Sequence, residues 1–157
     1  MLISSQSLST RSLLMAQAYV TNCLALNEPW LVDALADEVS AVWARVESGL
    51  ELQKTVTEGK DAVAEHFQNT FFAVTNNFDL LEAKYFAFGP QVTLKCVIDQ
   101  DKIDPDQVQR RYHMICNIDL EFKEEGENLK IVKIWERTSK HLIRARCNDL
   151  SGKKSSC

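Results

Sequence analysis

Residues 111–122 read RYHMICNIDLEF, and their apolar and polar side chains alternate. Because successive side chains of a β-strand point to opposite faces, one face of such a strand would carry Tyr112, Met114, Cys116, Ile118, Leu120 and Phe122. The other face would carry His113, Asn117, Asp119 and Glu121, with Ile115 as its apolar member. The pattern predicts a long strand with one apolar face, and that face requires a cover.

A turn and a second strand follow this strand. Residues 124–128 read EEGEN, and Gly126 suits the positive backbone φ angle that many tight turns require. A second alternating run covers residues 129–138. The segment from Gln109 to Arg137 is therefore predicted to form one long β-hairpin.

The rest of the chain predicts the elements that cover this hairpin. Apolar residues at helical spacing predict helices over residues 7–26 and 60–75, and Asn27 and Pro29 predict the start of a short second helix that ends near Ala36. The pattern predicts strands over residues 39–46, 50–57, 80–88 and 92–98, an acidic connection over residues 99–106, and a short extension over residues 140–147. Helices before a meandering antiparallel sheet indicate an α+β fold in one domain, residues 1–147, with a disordered tail, residues 148–157. A sheet that curls around three helices forms a cone, which typically has a cavity at its open end.

Composition restricts the classes of function. The chain has 157 residues, 45% of them hydrophobic, and a formal net charge of −4, which disfavours binding to nucleic acid. No segment approaches the ~20 apolar residues that a membrane span needs, and the N-terminus does not resemble a signal peptide. Five cysteines without a Cys-x-x-Cys pair are typical of reduced thiols, so we expect a cytoplasmic protein.

Four short segments carry a resemblance to a known superfamily. They are residues 18–27 (AYVTNCLALN), residues 31–39 (LVDALADEV), residues 58–63 (EGKDAV) with Phe67, and the closing strand pair from Ile118 to Trp135. In these segments the chain resembles the nuclear transport factor 2-like superfamily, which includes ketosteroid isomerase, scytalone dehydratase, limonene epoxide hydrolase and the polyketide-cyclase-like (SnoaL-like) proteins. The resemblance implies a cystatin-like fold in which a curved antiparallel sheet packs on three N-terminal helices. This architecture hosts unrelated functions.

The ketosteroid isomerase pattern implies three site residues: a tyrosine and a protonated aspartic acid that stabilise a dienolate, and a second carboxylate that moves the proton. Tyr19 matches the tyrosine. The position of the proton-moving aspartate falls on Trp43, whose indole cannot accept and return a proton. Asp119 resembles the oxyanion acid in its Ile-Asp pair, but the alternation places Ile118, not Asp119, on the inner face. Either the strand bulges near Asp119 or this acid is absent, and the unbroken alternation favours absence.

We therefore predict a cavity for a small hydrophobic ligand in a protein that is polyketide-cyclase-like or isomerase-like in shape. The predicted lining is Tyr19, Trp43, Phe67, Phe86, Met114, Cys116 and Ile118. If the protein is an enzyme, we expect an acid–base catalyst of the isomerase, cyclase or dehydratase type that lacks the usual isomerase aspartate. The sequence has no phosphate-binding glycine loop and no metal-spaced histidine pair, so we expect neither a cofactor nor a metal.

Two alternatives stay open. The first is a non-catalytic module for dimerisation or protein interaction, because a polar outer sheet face with Ile115 among its residues suits a homodimer contact. The second is an enzyme whose acid–base pair is His113 and Asp119, which requires both side chains to point into one cleft. The candidate catalytic residues are thus Tyr19, Asp119 and His113.

Overall fold

A computed structural model of the chain describes residues 7–148 and 154–156, with the side chains of residues 7–143. The elements of this part of the chain are, in order, α1 (Leu8–Leu24), α2 (Glu28–Ala34), β1 (Leu35–Glu47), β2 (Leu50–Glu58), α3 (Lys60–Phe67), β3 (Thr75–Phe88), β4 (Gln91–Ile103), β5 (Gln109–Glu125), β6 (Asn128–Asn148) and β7 (Lys154–Ser156). A π-helical turn, Gln68–Phe72, extends α3. The predicted α+β fold with three helices is confirmed.

The strands form one curved, unclosed sheet in the order β2-β1-β6-β5-β4-β3, with β7 beside β6. The sequence predicted an antiparallel sheet. One neighbouring pair differs, because β1 and β6 run parallel. The chain between these two strands forms β2, α3, β3, β4 and β5 before it returns beside β1. The helices cover the inner face of the sheet. Their buried residues, among them Ala16, Val20, Leu31, Val63 and Phe67, pack with the inward residues of β4, β5 and β6 into one core.

Local side chains fix the helix starts. The Ser7 hydroxyl accepts a hydrogen bond from the Thr10 amide at the start of α1, and the Asn27 side chain accepts one from the Trp30 amide at the start of α2. Gly59 precedes α3 with a φ angle of 91°, which a residue with a side chain rarely adopts. The helix predicted to reach Thr75 ends earlier. Thr75 instead begins β3, where its buried hydroxyl accepts a hydrogen bond from Gln100 Nε2 at 2.6 Å.

The predicted acidic connection over residues 99–106 is wrong in its first half, because β4 continues to Ile103. The acidic side chains of this half pair with basic side chains of the neighbouring strand β5. Asp99 and Asp101 both lie beside Arg111 of β5, at 3.6 and 3.1 Å, and Asp99 also accepts a hydrogen bond from His113 at 2.8 Å. Opposite charges on facing strands stabilise the pairing.

The hairpin of β5 and β6 is confirmed, and the alternation of β5 holds from Met114 to Phe122. The extension predicted after Ser139 is a continuation of β6 itself. In the tail predicted to be disordered, Asn148 ends β6 and Lys154–Ser156 pairs with it as β7. Residues 149–153 and 157 lie outside the described part of the chain. No helix in the described part has the length and apolar character that crossing a membrane requires.

Candidate functional site

A cavity of about 350 Å³ lies between the helices and the inner face of the sheet. This volume is in the range of small-molecule sites. Most of its wall is apolar, and its lining includes Tyr19, Cys23, Trp43, Phe67, Cys96, Met114, Cys116, Ile118, Glu136 and Thr138. The cavity predicted from the strand pattern is therefore present.

Strand register explains which side chains reach this cavity. One row of paired residues crosses five strands and holds Tyr85, Leu94, Ile118, Glu136 and Trp43. The neighbouring row holds Phe86, Thr93, Asp119, Trp135 and Val42, and it points to the opposite face. Trp43, Ile118 and Glu136 of the first row form the floor of the cavity, and Glu136 carries its one carboxyl group.

Glu136 is half-buried and lines the cavity. Burial raises the pKa of its carboxyl group above the usual value, because the charged form loses its hydration. The hydrogen-bond donors beside it, the Thr138 hydroxyl at 3.1 Å and the Trp43 indole, lower this pKa by less than burial raises it. A carboxyl group of this kind exchanges a proton at a higher pH than an exposed one and is suited to acid–base chemistry.

Tyr19 lies in α1 and lines the cavity with only 3% of its surface exposed. Burial raises the pKa of its hydroxyl well above 10.0, and the nearby Cys23 and Glu136 raise it further when they are charged. The hydroxyl therefore stays protonated at neutral pH and can donate a hydrogen bond, to the neighbouring Cys23 sulfur or to a ligand. Such a donor stabilises negative charge that develops on a ligand oxygen.

Aromatic rings hold the side of the cavity next to Glu136. Trp43 stacks on His66 with 3.6 Å between ring centroids, and its other contact is an edge-to-face arrangement with Phe67 at 5.8 Å. Phe67 in turn meets the edge of Tyr19 at 6.4 Å. Desolvation by this packing lowers the pKa of His66, which favours the neutral imidazole. The stack fixes the indole that borders Glu136.

The three cysteines of the cavity are free thiols. Burial raises the pKa of all three thiols, that of Cys96 to about 11 and those of Cys23 and Cys116 further. Because the thiolate is the nucleophilic form, these groups are apolar lining rather than nucleophiles. Within residues 7–143, no group of three or more metal-binding side chains occurs.

Six of the seven residues predicted to line the cavity do so: Tyr19, Trp43, Phe67, Met114, Cys116 and Ile118. Phe86, the seventh, does not line the cavity. It is 71% exposed because Tyr85, its neighbour in β3, takes the inward position opposite Leu94. A period-two pattern defines two faces without saying which one meets the helices.

His113 and Asp119 lie on the outer face, away from the cavity. Asp119 accepts hydrogen bonds from Arg137 and Thr93, each at 2.8 Å, whereas His113 donates a hydrogen bond to Asp99. No bulge interrupts β5 between Tyr112 and Glu121, so Ile118 is the inward residue. The isomerase-type acid is thus absent at this position, and a shared catalytic cleft of His113 and Asp119 is inconsistent with the structure.

Glu136 was missed by the reasoning from sequence, and the cause is a bulge in β6. The pairing with β5 passes from Ile131 to Lys133, which leaves Val132 as an extra residue. The inward set therefore changes from odd to even numbers, with Leu129 and Ile131 before the bulge and Ile134, Glu136 and Thr138 after it. The signal was the pair of apolar residues at 131 and 132, which breaks the alternation where a bulge sits.

Comparison with known proteins supports the fold. No protein-family model matches the sequence, and no curated protein is significantly similar to it. Solved structures do match. A candidate polyketide cyclase from Xanthomonas campestris pv. campestris superposes with a TM-score of 0.65 at 16% identity over 83% of this chain and 92% of that one. AusH from Aspergillus nidulans gives 0.61 at 17% identity over 95% and 94%, and an NTF2-like protein from Pseudomonas putida KT2440 gives 0.55 at 15% identity over 97% of each chain. The chain has the nuclear transport factor 2-like fold.

Proposed function

We propose that the chain binds an apolar small molecule in its cavity and moves a proton on it, with Glu136 as the acid–base group and Tyr19 as the oxyanion donor. The observation that carries this proposal is the lone carboxyl group on an otherwise apolar cavity floor. A buried carboxyl group without a counter-ion costs stability. Its presence beside a protonated tyrosine supports a role in chemistry rather than in folding.

The reaction class follows from these two groups. When Glu136 is ionised, it takes a proton from the carbon next to a ligand carbonyl, and the electron pair of that C–H bond moves onto the carbonyl oxygen. Tyr19 donates a hydrogen bond to this oxygen, and Glu136 then returns the proton to another carbon. Isomerisation begins in this way, and so do many cyclisations and dehydrations. The match to a candidate polyketide cyclase is compatible with this class.

Glu136 can replace the carboxylate that the isomerase-like pattern has at the position of Trp43. The isomerase-like pattern has a carboxylate where this chain has Trp43, and Glu136 is the residue that pairs with Trp43 on the neighbouring strand. A carboxyl group thus reaches the same part of the cavity from β6 instead of β1. We propose that this exchange of strand preserves the proton-moving step.

A direct test follows the exchange of the α-protons of 2-tetralone for deuterium by NMR. The wild-type chain is expected to accelerate the exchange over an equal concentration of acetate. Glu136→Gln is expected to reduce the rate by roughly 10²–10⁴-fold, and Tyr19→Phe by roughly 10²–10³-fold. Asp119→Asn, on the outer face, is the matched control and should keep the wild-type rate. Acceleration that survives in Glu136→Gln would contradict the assignment.

The outer face of the sheet bears on a second property, the self-association of the chain. The outer face carries exposed apolar side chains within a polar surface, with Trp135 at 42%, Val56 at 62% and Phe86 at 71% exposure. Phe86 and Trp135 lie in the same outward row of paired residues, and Val56 of β2 continues that row because it pairs with Val42. We propose that this face forms a homodimer contact in a cytoplasmic protein, in keeping with the free thiols. Sedimentation velocity should show a dimer that Trp135→Glu dissociates, whereas a monomer at high concentration would exclude the contact.

A further inference from the structure

The cavity has a cationic end that the proposed acid–base step does not use. Its lining includes Arg45, Lys102 and Lys140, and the one acidic residue of the described lining is Glu136. Glu136 and Lys140 lie four residues apart on β6, which corresponds to about 13 Å along the strand. Arg45, whose side chain is 46% exposed, marks the side where this end meets solvent. The cavity therefore runs from an apolar floor with one acid to a cationic mouth.

At this mouth four cations, Arg45, Lys102, Arg110 and Lys140, face three carboxylates of the described residues, those of Glu47, Asp104 and Asp106. Arg45 pairs with Glu47, and Arg110 takes one oxygen of Asp104 at 2.8 Å. Lys102 approaches the other oxygen of Asp104 only to 3.8 Å. Among the residues whose side chains are described, Lys140 forms no ion pair. Arg110 also pairs with Asp106 at 2.6 Å, so the Lys140 ammonium is the cation left over at this mouth, in a chain whose net charge is −4.

The lysines are held in place by their surroundings. The Lys140 ammonium lies 4.0 Å from the centroid of the Tyr112 ring, a cation–π contact. The Tyr112 hydroxyl donates a hydrogen bond to Asp104, which also faces Lys102. Burial and the neighbouring Lys102 lower the pKa of Lys140 to about 8, so the protein itself disfavours this charge. An anion at the mouth would relieve that repulsion.

We propose that the ligand is an apolar molecule that carries a carboxylate, bound between Lys102 and Lys140, while its uncharged end reaches Glu136 and Tyr19. This inference rests on the proposed function, because it concerns the same cavity. It adds the orientation of the ligand. The carboxylate stays at the mouth, where it is partly hydrated, and the reacting carbonyl enters the apolar floor. The spacing of the two ends selects molecules about 10 Å or more in length.

The test compares two probes of equal shape, 2-naphthoate and the neutral 2-naphthamide, by titration calorimetry with the full chain. The wild type is expected to bind 2-naphthoate about tenfold more tightly, because charge-assisted hydrogen bonds exceed neutral ones. Lys140→Met and the double variant Lys102→Met/Lys140→Met should lose this preference. Both variants should keep the affinity for 2-naphthamide within about twofold, because a neutral probe forms no ion pair with either lysine. Lys140→Arg keeps the charge and should keep the preference.

Lys95→Met is the matched control. Lys95 lies on the same strand as Lys102 but on the outer face, opposite Asn117, so its removal should leave both affinities unchanged. Equal affinity of the wild type for the two probes would overturn the anion site and leave the cavity proposal intact. A preference for 2-naphthoate that persists in the double variant would also overturn it. If the wild type binds neither probe, this inference and the proposed ligand cavity both fail.

Discussion

Replacement of Glu136 by glutamine should make the stability difference between the two proteins depend on pH. Glutamine keeps the size of the side chain and an oxygen that accepts the Thr138 hydrogen bond, but it cannot ionise. Burial raises the pKa of Glu136 in the folded chain above its unfolded value. The folded state therefore holds the proton over a pH range in which the unfolded state releases it.

The sign and slope follow from proton linkage. Below the unfolded pKa of about 4.5, both states are protonated and the carboxyl group carries no penalty. As the pH rises from there to the folded pKa, the wild type loses about 1.4 kcal/mol of stability per pH unit relative to the variant. Above the folded pKa the loss is complete and constant. Glu136→Gln should thus be the more stable protein at neutral pH, with a difference that shrinks in acid.

Urea unfolding from about pH 4 to pH 8 measures this difference. Glu121→Gln removes a carboxyl group on the outer side of β5 and serves as the matched control for the loss of one acid. A stability difference for Glu136→Gln that does not change with pH would refute the buried acid. A difference that grows toward low pH would refute it as well, because that sign belongs to a carboxylate stabilised in its charged form.

Three further predictions follow from other contacts. Phe67→Ala should lower the free energy of unfolding in urea by about 3 kcal/mol, the low end for such a truncation because the side chain borders an existing cavity. Phe86→Ala, on the outer face, should change it by less than about 0.5 kcal/mol. Similar losses for the two variants would refute the assignment of faces. Arg111→Met leaves three carboxylates, at 2.7, 3.1 and 3.6 Å in the folded chain, without their shared cation, and should cost roughly 1 kcal/mol. That cost should diminish in salt, and a salt-independent cost would contradict it. Because the pKa of Lys140 is about 8, the affinity for 2-naphthoate measured by calorimetry should fall between about pH 7 and pH 10. The affinity for 2-naphthamide should not change over this range. An equal fall in the affinity for both probes would show that Lys140 does not bind the anion.

The strand β5 was predictable because its alternation is complete and one face is buried. An unbroken period of two defines the register, and a shift by one residue would expose the whole apolar set. The same reasoning correctly placed Ile118 inward and Asp119 outward. The fold followed from this strand together with the short motifs of the helices.

The second half of β4 and the carboxyl group of the site were not predictable in the same way. Asp99 and Asp101 look like loop residues until Arg111 and His113 of β5 are known to face them. Glu136 was not identified from the sequence, because one extra residue, Val132, changes the phase of β6. Both errors concern the pairing of consecutive strands, β4 with β5 and β5 with β6. The alternation within one strand does not by itself define which residues of the neighbouring strand face it.

The central claim, that the inner face of β5 lines a ligand site, has a direct test in the methyl NMR spectrum. Met114 points into the cavity, and the next residue, Ile115, points to the outer face. Addition of 2-naphthoate should shift the methyl signals of Met114 and Ile118 and leave those of Ile115 unchanged. Shifts confined to Ile115, or no shift at any of the three residues at saturating probe, would contradict the account.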